Sequence, residues 1–293
     1  MTVANTNLYP IDFVTKFQER LDYDTNWKQV CKVDISNKYT LTNPYMSTVP
    51  SLQSHTRGTA YTHQTYALTT DAVTINQSKN LALFIDRADL AQQTYVDMMD
   101  LADLQGQLVN EYLETDMLAN HAMWTDFDNA SIGGSAGNIT VSASTIDDII
   151  RGIKREIREA NGTSLMNRNG AFIIWRAADF EILEAYVQAN GFSTADEALK
   201  NGTVEGFKYL GVSHYVSNLH AVAAASTQHL FGGVKGLFHL GILQATYGQV
   251  ITSQDPATAD GPLSGVGINA RIDWEFVAWN NHKAVLFDIL VTA

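Results

Sequence analysis

Cysteine is almost missing from this chain. Cys31 stands alone among 293 residues, so no intrachain disulfide can form, and a reducing cytoplasm is the simplest folding compartment. Charge is scarce as well. Asp, Glu, Lys and Arg make up 17% of the sequence, below the quarter or so of an average globular domain, and Thr, Ser, Asn, Gln and Ala fill the gap. Positive charge is the scarcest kind, with 19 Lys and Arg against 31 Asp and Glu and a net charge of −12. Gripping phosphates takes clustered cations, and no run of Lys and Arg supplies them, which argues against tight binding to nucleic acid or to an anionic membrane. No apolar stretch approaches the roughly 18 residues of a membrane span. The opening MTVANTNLYPIDF has neither the basic nor the apolar region of a signal peptide. Phosphate-binding spellings GxGxxG and GxxxxGK[ST] are absent too.

What is present is 45% hydrophobic, enough to bury a sizeable core in one large or two modest domains. From Met1 to about Lys28 the chain is polar with scattered apolar positions. Ile11, Val14, Phe17 and Leu21 share one helical face and predict a short amphipathic helix. The rest of that stretch reads as an arm that neighbours must order. From Lys28 to about Ile85 the period drops to two, at Cys31, Val33 and Ile35, in Thr59 to Leu68, at Val73 and Ile75, and from Leu81 to Ile85. A turn-rich centre with Pro44, Pro50 and Gly58 interrupts it, so the segment predicts a long hairpin. Such a hairpin is not stable alone in water.

A long helix is expected next, from about Asp86 to Trp124. Asp86 and Asp89 have the spacing of an N-cap and an acidic N3 residue. Leu101, Leu104, Leu108 and Tyr112 form one apolar stripe, and Val109, Leu113 and Met117 form another beside it. About 39 residues at 1.5 Å each would span roughly 58 Å. Gly106 sits mid-helix, where it permits a bend or a close contact, and DNASIGGSAGN (Asp128–Asn138) reads as helix stop and loop. An α/β region follows. Thr145 and Asp148 suit a capping box, and Ile146, Ile149, Ile150, Ile153 and Ile157 make an apolar face that ends at Asn161-Gly162 by the left-handed route. Ala171–Trp175 reads as a buried strand, Ala177–Gln188 as a helix closed by Asn190-Gly191, and Ala195–Lys200 as a short helix. A turn at Tyr209–Gly211 leads into the strand Val212–Val216. Leu230 and Val234–Leu243 supply more strand. Ser253–Gly265 is a loop, and two strands, about Gly267–Val277 and Lys283–Val291, close the chain.

The fold class is α+β, and the order of elements resembles the major capsid proteins of tailed bacteriophages, the Hong Kong 97-type fold. VTINQSKNLALFIDRADLAQQ (Val73–Gln93) is similar to that family's passage from extended loop to spine helix. TIDDIIRGIKREIREANG followed by NGAFIIWRAADFEIL resembles its first axial helix and strand. VEGFKYLGVSHYVSN resembles its glycine-centred hairpin, and INARIDWEFVAWNNHKAVLFDIL its closing strands. Many relatives carry a proline and an arginine just before the axial strand, where this chain has Thr163, Ser164 and Asn169. The resemblance implies an N-terminal arm (1–28), an extended β-hairpin loop (29–72), a peripheral domain with the spine helix (73–140), an α/β axial domain (141–250) and returning peripheral strands (251–293). It further implies pentamers and hexamers of the chain itself in an icosahedral shell. That shell would enclose double-stranded DNA without sequence-specific binding, in a virion assembled in the host cytoplasm. A net-negative wall suits packed DNA, since it repels phosphate. The start at Met1 implies no long cleaved N-terminal segment, so a separate scaffolding protein is expected, with a portal and in some shells a decoration protein. An encapsulin-type compartment holding cargo is a second reading, and a small-oligomer enzyme with an unrecognised site a third.

Candidate chemistry is sparse, and neither a catalytic residue, a cofactor nor a metal is expected. His55 and His63 flank the loop, and His214, His220, His229 and His239 are spread over the α/β region without HxH, HExxH or His/Cys spacing. Asp97, Asp100 and Asp103 recur along the long helix and read as a solvated or partner-facing edge. Asp255 and Asp260 lack the ligand spacing of a calcium loop. Gly232, Gly233 and Gly236 beside Lys235 read as a strand connection rather than a phosphate loop. Some shells of this family join lysine to asparagine between subunits, for which Lys32, Lys38, Asn280 and Asn281 are the candidates.

Overall fold

The computed structural model describes residues 8–21, 25–48, 51–61, 63–86, 95–132, 138–189, 207–224, 227–254, 257–258, 261–262 and 264–292. Helix α1 spans Leu8–Leu21 and α2 spans Asn26–Val30. Strands β1 (Lys32–Ser36), β2 (Thr40–Thr48), β3 (Ala67–Thr74) and β4 (Gln77–Asp86) follow. Helix α3 covers Tyr95–Ala119, and short strands β5 (Thr125–Asp126) and β6 (Ile139–Thr140) come after it. Then come α4 (Ile146–Glu159), α5 (Thr163–Asn169), β7 (Ala171–Trp175), α6 (Ala177–Ala189), β8 (Phe207–Tyr209), β9 (Val212–Val216), β10 (Val222–Ala224), β11 (Thr227–Val234) and β12 (Phe238–Leu243). The chain closes with β13 (Val250–Gln254), β14 (Ala257–Thr258), β15 (Gly261–Pro262), β16 (Gly265–Ala278) and β17 (Leu286–Thr292).

Two sheets carry the fold. In the five-stranded sheet β16 is the hub. On one side it pairs antiparallel with the whole of β4, and on the other with β13 and then β12. Strand β1 adds to β12 in parallel. The eight-stranded sheet runs β5-β17-β11-β7-β9-β8, with β10 on β11 and β6 on β17. The closing strands expected at 251–293 therefore part company, β16 joining the first sheet and β17 the second. The chain reverses through Trp279–Val285, and β17 finds its partners in β11, Thr227 through Gly233 opposite Thr292 through Leu286.

Local patterns account for most elements. The five isoleucines of α4 are fully buried, and Asn161 ends that helix at φ 57° with the Gly162 N–H donating to the Ile157 carbonyl. Leu210 and Gly211, both at positive φ, join β8 to β9 in a two-residue turn. The expected capping box does not form. Thr145 Oγ1 donates to the Thr140 carbonyl at 2.7 Å and accepts from the Ser142 N–H, so its side chain turns toward the preceding loop instead of the helix. Helix α5, at Thr163–Asn169, has no counterpart in the sequence reading.

Three expectations are corrected. Asp86, expected to cap the long helix, is the last residue of β4 and pairs with Gly265. Residues 87–94, Asp89 among them, lie outside the described residues, and the described helix begins at Tyr95. The helix ends at Ala119, before a 3-10 turn at His121–Met123, so its described 25 residues measure about 38 Å. The hairpin strands are also shifted. Strand β2 runs through Pro44, tolerated because both strands of a two-stranded ribbon are edges, whereas 59–61 and 63–66 are irregular. Finally, the segment expected as an arm brings its own core. Phe13, Phe17, Leu21 and Trp27 are buried inside the chain. Helix α1 lies against α3, where the Asn110 side chain donates to the Arg20 carbonyl at 3.0 Å. Gly106 makes that crossing possible, since a Cβ there would sit 2.8 Å from Arg20 Cβ and 3.2 Å from the Phe17 carbonyl oxygen.

The sheets and the spine helix meet in an aromatic seam. Trp124, just past α3, stacks on Phe231 of the second sheet at 3.8 Å between ring centroids and meets Phe238 of the first sheet edge-on. Phe238 in turn stacks on Phe276. Replacing Gly106 by Val should destabilise the chain by about 1–3 kcal/mol through overpacking, read as a lower midpoint in urea unfolding, while Asp100→Ala on the exposed side should leave the midpoint in place. An unchanged midpoint for Gly106→Val would remove the close crossing from the explanation.

Candidate functional site

Two kinds of feature stand out from the frame: surfaces the chain leaves uncovered, and a cluster of histidines with one aspartate. The hairpin β2–β3 is the first surface. Its base is fixed. Leu41 packs with Val73, Val277 and Trp279 and lies over Gly241, where a Cβ would come within 2.0 Å of Leu41 Cδ1. The Asn280 side chain donates to Asp71 at 3.1 Å, and the Asn43 side chain donates to Asn281 Oδ1 at 3.1 Å. Beyond the base the ribbon carries exposed Met46, Tyr66 and Leu68. Among the described residues its tip is braced by its own groups, with Gln64 bonded to the Ser51 backbone and His55 stacked on Tyr61 at 4.4 Å.

Helix α3 is the second surface. Of its two expected stripes, Val109, Leu113 and Met117 are buried, while Leu104, Leu108 and Tyr112 remain 50%, 44% and 43% exposed. Periodicity alone gives both stripes equal claim to the core. Packing chooses between them, because α1 and the first sheet cover one side. Of the aspartates expected as an edge, Asp100 is exposed and Asp103 faces Arg20 at 3.9 Å, while the Asp97 side chain lies outside the described residues.

The histidines take different roles. The Trp175 indole N–H, a donor only, donates to His214 Nδ1 at 2.8 Å, which fixes a neutral imidazole. His220 donates from Nδ1 to the His229 carbonyl at 3.0 Å. Burial pushes both His214 and His220 down to about 4. His239 pairs with Asp34 between β12 and β1, and His63 is exposed. Gly232 and Gly233 lie within β11 and Gly236 in the turn after it, while Lys235 donates to the Tyr215 hydroxyl at 2.6 Å. This is the expected strand connection. Lys32 pairs with Asp34, and Lys38 is exposed. Asp255 and Asp260 lie outside the described residues, as do Asn190-Gly191 and the helix expected at Ala195–Lys200. Gly133–Gly137 also spells GxSxG. It is flanked by a 3-10 turn before and a strand after, the reverse of the strand-then-helix setting a nucleophile elbow needs.

One cluster has no counterpart in the sequence reading. His121 in the 3-10 turn after α3, His229 on β11 and Asp288 on β17 bring one ligand atom each within 4.8 Å of one another. His229 Nδ1 lies 2.7 and 2.9 Å from the two Asp288 oxygens, and His121 Nδ1 lies 3.7 Å from Asp288 Oδ2. The two imidazoles stack at 3.5 Å between centroids. Burial, and then the neighbouring His229, lower the His121 pKa against the opposing pull of Asp288, and burial raises that of Asp288. Of the three, only His229 figures among the candidates, because sequence spacing cannot connect positions this far apart.

No protein-family model matches the chain, and neither does any curated protein sequence. Solved structures do. The asymmetric unit of the bacteriophage PhiM1 mature capsid is 12% identical with a TM-score of 0.61, over 92% of this chain and 88% of that one. Gordonia phage Cozz gives 11% and 0.60 over 93% and 90%. The capsid of cyanophage P-SCSP1u gives 14% and 0.54 over 92% and 88%. The chain has the α+β, Hong Kong 97-type capsid fold.

The buried neutral histidines set a pH dependence. Their folded-state pKa of about 4 lies below the ordinary 6.5, so the unfolded chain takes up protons first. Stability from this source is whole above pH 6.5 and falls as pH drops toward 4, by on the order of 2 kcal/mol per histidine at pH 5. Unfolding midpoints at pH 7.5 and 5 should differ for the natural chain and differ less for His214→Gln, whose amide can still accept from Trp175. Equal pH dependence in both chains would contradict this.

Proposed function

We propose that this chain is the major capsid protein of a tailed double-stranded-DNA phage, and that its work is self-assembly rather than catalysis. The observation that carries the reading is the hairpin β2–β3, a two-stranded ribbon exposed on both faces beyond its base. A lone two-stranded ribbon is marginal in water and leaves both edges unpaired, so a neighbouring copy is its natural cover. The fold's likeness to phage capsids over more than nine-tenths of the chain supports the same partner. The half-exposed Leu104, Leu108 and Tyr112 give the spine helix an apolar strip for a second copy.

On this reading the eight-stranded sheet with its helices gathers around five- and six-fold centres, and the five-stranded sheet, spine helix and hairpin tie the capsomers together. The net charge of −12 keeps the wall from gripping phosphate, so enclosed DNA is held by confinement and not by sequence. The partners this entails are a separate scaffolding protein, a portal and, in some shells, a decoration protein. The place of action is the virion, after assembly in the bacterial cytoplasm.

Removing residues 1–27 is a poor test, because Phe13, Phe17, Leu21 and Trp27 would leave the core. Joining Ser51 directly to Gln64 removes only the tip. That deletion and the pair Leu104→Glu with Leu108→Glu should each leave the circular dichroism spectrum unchanged and abolish shells in electron micrographs of the expressed protein. Normal shells from both variants would overturn the proposed contacts. Shells of the natural chain filled with a cargo protein in place of DNA would move the reading to an encapsulin-type compartment.

A further inference from the structure

We propose that His121, His229 and Asp288 form a binding site for one divalent transition-metal ion of the zinc class. Among the described residues this is the single cluster of its kind. Two imidazoles and a carboxylate are a recurrent zinc donor set that leaves a fourth position for water. Around a tetrahedral ion with bonds of about 2.0–2.2 Å, ligand atoms stand roughly 3.3–3.5 Å apart. The distances from Asp288 Oδ2 to the two imidazoles, 2.7 and 3.7 Å, bracket that spacing, and rotation of the partly exposed His121 ring out of its stack on His229 would bring both ring planes onto one ion. The ion would take the place of the hydrogen now shared by His229 and Asp288.

The surroundings fit an ion. His229 and Asp288 are held by paired strands of the second sheet, Phe231 standing opposite Asp288 itself, and both side chains are about nine-tenths buried. The His121 side chain is 32% exposed and gives the ion a way in. Asp126 stands opposite Asp288 in the parallel pairing of β5 with β17 and adds negative charge nearby. Nitrogen and carboxylate donors favour zinc, cobalt, nickel or copper(II) over magnesium and calcium, which prefer cages of oxygen. The chain's only thiol, Cys31, is buried against Met117 and is no member of the cluster. The bound ion would bolt the end of the spine helix to the second sheet just before Trp124 and Phe231 meet. This inference does not depend on the assembly reading.

The test uses the full chain after chelator treatment, titrated with Co(II) for its visible absorption and with Zn(II) by calorimetry. One ion per chain is expected, with a cobalt spectrum of low coordination number and a higher thermal midpoint in zinc. His121→Ala, at a partly exposed position, should weaken binding by at least about tenfold, the scale on which even outer-shell partners act. It should also erase the zinc-dependent midpoint shift without altering the fold, and the near-isosteric Asp288→Asn should do the same. His63→Ala on the hairpin tip should bind as the natural chain does. No saturable binding, or binding unchanged by both His121→Ala and Asp288→Asn, would overturn the site.

Discussion

The stack of Trp124 on Phe231, continued through Phe238 to Phe276, is the contact on which the architecture turns. Among the described residues the two sheets share no strand pairing. The chain passes between them at the turn joining β11 to β12, and the rings on either side of that turn lock their relation. Trp124 adds the end of the spine helix to the same point. Aromatic pairs contribute about 0.5–1.5 kcal/mol beyond their buried area, and here they act where three elements converge. A rigid body results, with Phe13, Phe17 and Leu21 of α1 packed into its core.

That rigid body leaves specific things unfinished. The hairpin is pinned at its base by Leu41, Asp71 and Asn43 and is exposed beyond it. One stripe of α3 is buried and its neighbour is half-exposed. Exposed apolar strips beside an unsupported ribbon are costly for a monomer and useful for a subunit that meets copies of itself. Scarce charge fits the same picture, since uncharged polar groups lose less than charged ones when a neighbour covers them.

Local pattern made much of this legible in advance. The isoleucine face of α4, the left-handed Asn161 and the buried strand Ala171–Trp175 follow from residues within one element. What sequence could not show depended on distant partners. The end of the spine helix falls at Ala119, short of the expected Trp124, because the chain turns there into the 3-10 turn at His121–Met123. The two stripes of α3 looked alike because the choice between them is made by α1 through Gly106. Thr145 looked like a cap but bonds to Thr140 instead. The cluster of His121, His229 and Asp288 was invisible for the same reason, because a turn and two strands bring it together.

On the proposed reading one copy is incomplete and the shell is the functional unit. Sedimentation of the natural chain, purified without partners and with added scaffolding protein, tests it most directly. Capsomers or megadalton shells are expected, with electron micrographs placing the hairpin tip of one copy on its neighbour. A stable species at the 32.2 kDa of a single chain under both conditions would contradict it.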